Sequence, residues 1–417
     1  MNAGGRFASL RTVGPGILFA GAAIGVSHLV QSTRAGAGWG FGLAWAVVLA
    51  MVCKYPFIEA GHRYTVAAGE SVLEGYLRLG RGALGLFMAV VVGSAFITMA
   101  AVTAVTAGLA GALFGLDWSL PALSAAVLGV ALAICAVGRY RTLDTVMKVM
   151  VLVLGVLTLV AVAVAAAHGP VGVPDFVAPA VWSAAGLTFL LALMGWMPTP
   201  LDVAVWPSLW ILEKARTSRR LPTMTEAMVD FHLGYVITGV LALSFLSLGA
   251  LVMHGTGREF SDSGVAFGRQ LVDMYAATLG GWSRWVIALV AFITMFSTTL
   301  TVLDGYARTL AGGLGLLAGR DQEQRRRDGF LLMPVVAGLG LVVIAFFLTG
   351  MRLLVDAATV LAFLAASVLA WLNMKVVRGP KVPPQYRPGR VLTALTWVGL
   401  AFLVGFGLLW VWVRWLR

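Results

Sequence analysis

Two stretches of this sequence set hydrogen-bonding side chains inside otherwise apolar runs. Gly21-Ala-Ala-Ile-Gly-Val-Ser-His28 offers a hydroxyl and an imidazole. Gly195-Trp-Met-Pro-Thr-Pro200, with Asp202 just beyond, offers a thioether, a hydroxyl and a carboxylate. Glycine and proline at these spacings interrupt regular helix. Backbone groups released in this way at membrane depth survive only where they line a cavity or pack against protein, and paired interruptions in two halves of a chain mark a transport site near the bilayer midplane. The expected substrate site is therefore Gly25, Ser27, His28, Met197, Thr199 and Asp202. His28 stands out, because an ionisable group inside a membrane span is costly and usually functional. His28 and Met197 are the candidate metal ligands. Met197 is equally suited to filling a packing gap, Thr199 is held off the helix by its flanking prolines, and Asp202 also suits the cap of the resumed half-helix. Trp196 and Trp206 are expected to pack or gate rather than ligate.

A second constellation is Lys54-Tyr-Pro-Phe-Ile-Glu59-Ala-Gly-His62-Arg63. Unpaired charge at that depth costs several kcal/mol, about 3 or more, so Lys54 and Glu59 must be paired or line a wet path. Glu59 and His62, with His232, could form an inner gate or proton relay, and a static ion-pair network is the alternative reading. A third is Ser297-Thr298-Thr299, whose hydroxyls either bond back along their own helix or face another element.

The elements that position these groups follow from composition. Hydrophobic residues are 60% of the 417, charged residues 12%, and the mean hydropathy is +0.91. These values point to an all-α polytopic membrane protein, and the alternation of an outer-membrane barrel is missing. Eleven spans are expected, over 14–38, 41–64, 83–115, 119–138, 146–167, 182–212, 232–254, 283–313, 329–349, 351–376 and 391–416, joined by short loops. The arm from Met1 to Thr12 lacks signal-peptide features, so the first span should be retained. Cys53 and Cys135 sit inside apolar runs and read as buried hydrophobes.

The net charge of +12 reflects topology rather than nucleic-acid binding. With the N-terminus in the cytoplasm, 22 of the 30 basic residues fall inside, from Arg6 and Arg11 through Arg139 to Arg325-Arg326-Arg327 and Arg390. A cell-membrane location, N-terminus in and C-terminus out, is expected. Five spans on each side of the 165–181 connection, each set opening on an interruption, suggest one membrane domain over 1–417. Within it, inverted repeats cover 14–167 and 182–376, and an accessory helix covers 391–416. No H-E-x-x-H, G-x-S-x-G or clustered acids argue for an enzyme. A channel and a non-transporting binding protein are the competitors to a transporter.

Residues Gly14-Pro-Gly-Ile-Leu18, Arg34-Ala-Gly-Ala37 and Gly40-Phe-Gly-Leu-Ala-Trp45 resemble, without a gap through about Gly69, the opening of NRAMP divalent-metal transporters. Met197-Pro198 falls at that family's Met-Pro-His break, and Gly138-Arg-Tyr-Arg-Thr-Leu-Asp144 resembles its link between helices 4 and 5. The resemblance implies the LeuT fold and proton-coupled uptake of a transition metal. Several positions depart from it. Gly25-Val26-Ser27-His28 stands where the family carries Asp-Pro-Gly-Asn, Thr199 and Ala204 stand at family histidines, and no acid occurs between Gly75 and Leu116. Weak manganese uptake is therefore expected. A small polar organic solute or anion is the alternative cargo, and lipid is the only other partner expected, with no obligate protein partner. No cofactor is expected beyond a bound metal ion or Na⁺. In sodium symporters of the LeuT fold, adjacent hydroxyls on helix 8 face carbonyls at the first break, so Gly21, Ala22, Ile24, Thr298 and Thr299 are coupling-ion candidates for sodium, and Glu59 and His62 for a proton.

Overall fold

The computed structural model describes residues 15–137, 140–170, 176–257, 260–261, 264–347 and 351–415; Arg6, Arg11, Gly138 and Arg139 lie outside them. The first span is built of two helices. α1 (Pro15–Ala23) starts on a proline, whose fixed φ suits a first helical turn. It stops before Ile24, and after three irregular residues a π-helical turn over Ser27–Ser32 leads into α2 (Thr33–Trp39). Next come α3 (Ala44–Ala68), α4 (Val72–Leu79), α5 (Arg81–Phe114), α6 (Leu120–Val137) and α7 (Tyr140–His168). The sixth span is likewise split into α8 (Ala184–Gly195), an unwound stretch, a 3₁₀ turn (Leu201–Val205) and α9 (Trp206–Ser218). The remainder comprises α10 (Met224–Val252), α11 (Gly264–Leu279), α12 (Ser283–Leu317), α13 (Gln322–Val342), α14 (Met351–Val376) and α15 (Arg390–Trp415).

Among the described residues seven helical stretches are long and apolar enough to cross a bilayer, and the shorter apolar helices Leu120–Ala136, Leu152–His168 and Ala184–Gly195 account for the remaining expected spans. One expectation needs correcting. The connection between the seventh and eighth spans is not a short loop, because it contains α11, whose Phe267, Leu271, Met274 and Tyr275 are buried. Their spacing is helical, and they pack on α5, α7 and α12, with the Tyr275 hydroxyl 3.0 Å from that of Thr158. A helix of 16 residues with one polar face escapes a search for long apolar runs.

Lipid supplies no hydrophobic drive between helices, so close approach depends on small residues. α1 and α2 lie along α10 in this way. A side chain at Gly16 would strike the Asp230 carbonyl, one at Gly36 that of Leu246, and one at Gly249 that of Thr33. α1 also packs on α9, and the π turn packs on α8, so the N-terminal half of the first span meets the C-terminal half of the sixth. The two interrupted spans therefore run side by side in opposite senses, which sets their breaks opposite each other. α5 and α12 pack on each other, and α15 lies outside against α3 and α14.

The basic residues gather on one face. Arg81 donates to the Leu317 carbonyl (2.8 Å), Arg325 to Glu74 (3.1 Å) and Arg63 to the Tyr386 carbonyl (2.8 Å). These bonds tie the end of α3, α4 and the start of α5 to the adjoining ends of α12, α13 and the α14–α15 connection. Around the bundle, side chains such as Leu152, Val236, Leu331 and Trp397 are exposed, as an apolar belt requires.

Candidate functional site

Between the breaks lies a cavity of about 30 Å³, room for one or two water molecules. Ala22, Ala23, Val26 and Ser27 of the first span, Trp196, Thr199, Val203 and Trp206 of the sixth, Thr98 and Val102 of α5, and Thr298 and Val302 of α12 line it. Four segments distant in sequence thus converge on one point.

At the first break hydroxyls and the imidazole join backbone amides in meeting the released polar groups. Thr298 Oγ1 lies 3.3 Å from the Gly21 carbonyl, 3.4 Å from that of Ile24 and 3.0 Å from that of Thr294. Gly25 is what allows this approach, since a Cβ there would sit 2.8 Å from Thr298 Cγ2 and 3.1 Å from its Oγ1. Ser27 Oγ is 2.7 Å from His28 Nδ1 and 3.0 Å from the Ala23 carbonyl. His28 Nε2 lies 2.9 Å from the carbonyl of Thr238 on α10. A carbonyl only accepts, so Nε2 carries a proton, and in the neutral ring Nδ1 accepts from Ser27. His28 is fully buried and outside the cavity lining; it fixes Ser27, which does line it.

The second break is closed by charge. Lys54 of α3, fully buried, donates to the carbonyls of Met194 (2.6 Å), Gly195 (2.6 Å) and Thr199 (3.2 Å). These are the carbonyls left over where α8 ends and the chain unwinds. An ammonium has three protons, and all three are used. Lys54 was expected to be paired or wet; it is instead the cap of an interrupted helix, a role that sequence could suggest only through its depth in α3. Asp202 follows the break and is also buried. Its carboxylate accepts from Tyr306 (2.9 Å), Ser94 (3.3 Å) and the Val203 amide (3.1 Å), so it ties the break to α12 and α5, while neither the 3₁₀ turn nor α9 has a side-chain cap. Met197 is buried outside the lining. Three groups of this span are buried without a hydrogen-bond partner: Trp196 Nε1, Trp206 Nε1 and Thr199 Oγ1.

The remaining expected residues are placed as follows. Thr299 turns to α5, 2.8 Å from Thr106 Oγ1, so only Thr298 of the pair reaches the first break. Glu59 accepts from Arg63 Nε at 2.7 Å on the same helix. His62 is packed between Phe231 and Phe19, ring centroids 4.9 and 6.4 Å away, and His232 meets the Tyr55 hydroxyl at 2.7 Å. A network that the sequence did not single out joins the first span to α14. Arg34 donates to Asp356 (2.6 Å) and Gln31 (2.9 Å), while Gln31 donates to Asp356 and Thr359, tying the first span to α14. The pairing of residues 322 positions apart has no sequence signal beyond two charges near span ends.

The sequence signature of the family described as Natural resistance-associated macrophage protein-like, Nramp, matches residues 16–413. The chain is 38% identical over 411 residues to the uncharacterized protein PM0681 of Pasteurella multocida (strain Pm70), a match covering 97% of this chain and 92% of that one. A mutant of the Eremococcus coleocola manganese transporter superposes with a TM-score of 0.69 at 13% identity, over 96% of this chain and 86% of the other. MhsT in complex with L-phenylalanine superposes with a TM-score of 0.61 at 14% identity, over 96% and 97%. At such identities the two structures speak to the fold, which is that of LeuT-type transporters.

Proposed function

The chain belongs to the Nramp family, a family of metal-ion transporters and not of enzymes, and from that premise we propose that it is a secondary active transporter working by alternating access around its two interrupted spans. The observation that carries the proposal is the cavity between the breaks, walled by the first and sixth spans, α5 and α12. Irregular backbone at that depth is stable only against protein or a cavity, and both conditions hold here. The Arg34–Gln31–Asp356–Thr359 network is suited to closing one side of the site, and its partners sit on elements that must separate when that side opens. With the N-terminus inside, the basic face is cytoplasmic and this network lies toward the outside. The repeats over 14–167 and 182–376 would supply the moving and static parts.

Coupling fits sodium at Thr298. One hydroxyl already lies among the carbonyls of Gly21, Ile24 and Thr294, and a sodium ion there would replace its donated hydrogen bonds with ion–oxygen contacts. A proton route through Glu59 and His62 is less well supported, because Glu59 is spent on Arg63 and His62 on an aromatic cluster.

For the cargo, the family brings a metal ion, such as the manganese of the Eremococcus coleocola protein. A second reading, a small polar organic solute or anion, is favoured by a cavity lining that contains no acid. Flux in proteoliposomes tests the transport reading. Uptake of Mn²⁺, or of a small amino acid or carboxylate, should saturate and should rise with an imposed sodium gradient. Non-saturating flux at near-diffusive rates would identify a channel, and none at all a binding protein.

A further inference from the structure

We propose that the connection between α14 and α15 is a docking site for the phosphodiester headgroup of an anionic phospholipid. Such a site needs only that the chain lies in a membrane, and it stands whether or not the transport reading holds. From residue 357 to residue 417 the sequence has no Asp or Glu, yet Lys375, Arg378, Lys381, Arg387 and Arg390 fall within 16 residues. Elsewhere the basic face is balanced. Arg216 meets Glu213 at 3.0 Å, Arg325 meets Glu74 at 3.1 Å and Arg326 meets Glu323 at 3.1 Å. Charge paired in this way suffices for topology and leaves little net field. Among the described residues, none of the five in the connection forms an ion pair with a carboxylate. Lys375 lies over the ring of Trp371, 5.3 Å from its centroid, and Arg387 Nε donates to the Val382 carbonyl at 3.1 Å. Glu70, whose carboxylate feels the charge of Lys381, is already held by Arg78 at 2.7 Å. Lys375, Lys381, Arg387 and Arg390 are exposed.

These charges stand on a stiff frame. Pro380, Pro383, Pro384 and Pro388 restrict the backbone, Val377 and Val382 are buried, and Arg63 of α3 donates to the Tyr386 carbonyl. Donors held in place beforehand lose little freedom on binding. The surface on both sides is apolar. Trp371 near the end of α14, and Val391, Trp397 and Val398 in the first turns of α15, are 45–84% exposed. Tryptophan is enriched at the depth of the lipid headgroups, so the connection lies level with the phosphates while its apolar flanks meet acyl chains. Guanidinium groups bind phosphate oxygens in pairs, and basic clusters beside a membrane span draw anionic lipid.

The test uses the full-length protein purified in a neutral detergent, with bound lipid read by native mass spectrometry and the melting temperature followed in parallel. Phosphatidylglycerol should be retained and should raise the melting temperature, whereas phosphatidylcholine of the same chain length should do neither. Lys381→Gln, Arg387→Gln and Arg390→Gln together should weaken phosphatidylglycerol binding about a hundredfold, at about fivefold per charge. Removing the same total charge from balanced pairs, by Arg216→Gln, Arg220→Gln and Arg326→Gln, should leave binding nearly unchanged. Lys381→Gln alone, at an exposed side chain, serves where the triple variant does not fold, and a loss of about fivefold is expected of it. Equal losses in the two triple variants would reduce the effect to the field of the whole face and overturn the site. Retention of phosphatidylcholine as firmly as phosphatidylglycerol, or unchanged binding in the connection variants, overturns it too. Glycerol 1-phosphate binding as tightly as the lipid would replace the lipid with a soluble phosphate and overturn it likewise.

Discussion

The two breaks solve the same problem with opposite chemistry. Each releases backbone carbonyls inside an apolar bundle, where an unsatisfied group is expensive. At the first break neutral hydroxyls answer: Thr298 covers Gly21 and Ile24, and Ser27 is aligned by His28. At the second, the Lys54 side chain answers with bonds to three carbonyls. A hydroxyl is exchangeable, since an ion can take its place among the carbonyls. A tethered ammonium cannot leave, so it fixes the second break and biases the space before it toward negative charge. The first break is thereby suited to a coupling cation and the second to holding cargo.

Breaking the second arrangement should have the largest effect. Lys54→Met keeps the volume and removes the charge, stripping the Lys54 bonds from the Gly195 and Thr199 carbonyls, while Met194 keeps its backbone donors, and leaving Asp202 without an opposite charge near it. A loss of about 3–5 kcal/mol of stability is expected. Thermal unfolding in detergent measures it, and a variant as stable as the parent would show that Lys54 is dispensable.

Next is the attempt to restore the family's aspartate. Gly25→Asp alone should destabilise by about 1–3 kcal/mol, because its Cβ would press on Thr298 Cγ2 at 2.8 Å. Adding Thr298→Ser removes that methyl, and the double variant should recover stability and gain Mn²⁺ binding over the parent. Calorimetry decides. Micromolar Mn²⁺ affinity in the unaltered protein would contradict this view and favour a site rebuilt around His28 and Met197.

Smaller effects belong to the first break. Thr298→Ala should abolish sodium stimulation of uptake while changing stability by about 1 kcal/mol. Sodium-driven uptake that survives the substitution would move the coupling site elsewhere. His28→Ala removes two hydrogen bonds and should cost about 1–2 kcal/mol with a modest loss of ligand response through Ser27. Unchanged melting and binding would reduce His28 to filler.

Much of this was legible in the sequence because interruption is a local property. Gly25, Pro198 and Pro200 lie close to other glycines or prolines, which weakens helix locally where the lone Pro56 and Pro334 do not end α3 and α13, and the basic bias follows span by span. The pairing of the broken spans could be inferred from their places in the two halves. What could not be read is partnership. The Glu59–Arg63 pair is an i,i+4 spacing on α3, but that Lys54 reaches the broken end of α8 depends on the rotation of α3 against the sixth span, which its sequence does not encode. That Thr298 rather than Thr299 reaches the break is a matter of 100° of helix turn, about one residue. α11 was missed because burial on three neighbours compensates for its modest length.

The central claim, that the cavity between the breaks opens alternately to the two sides, is tested most directly by labelling. In a background lacking Cys53 and Cys135, Val203→Cys places one thiol in the cavity wall. In sealed vesicles with an impermeant maleimide added to one side at a time, the account predicts that labelling from each side depends oppositely on sodium. Simultaneous labelling from both sides regardless of sodium, or from neither, would contradict it.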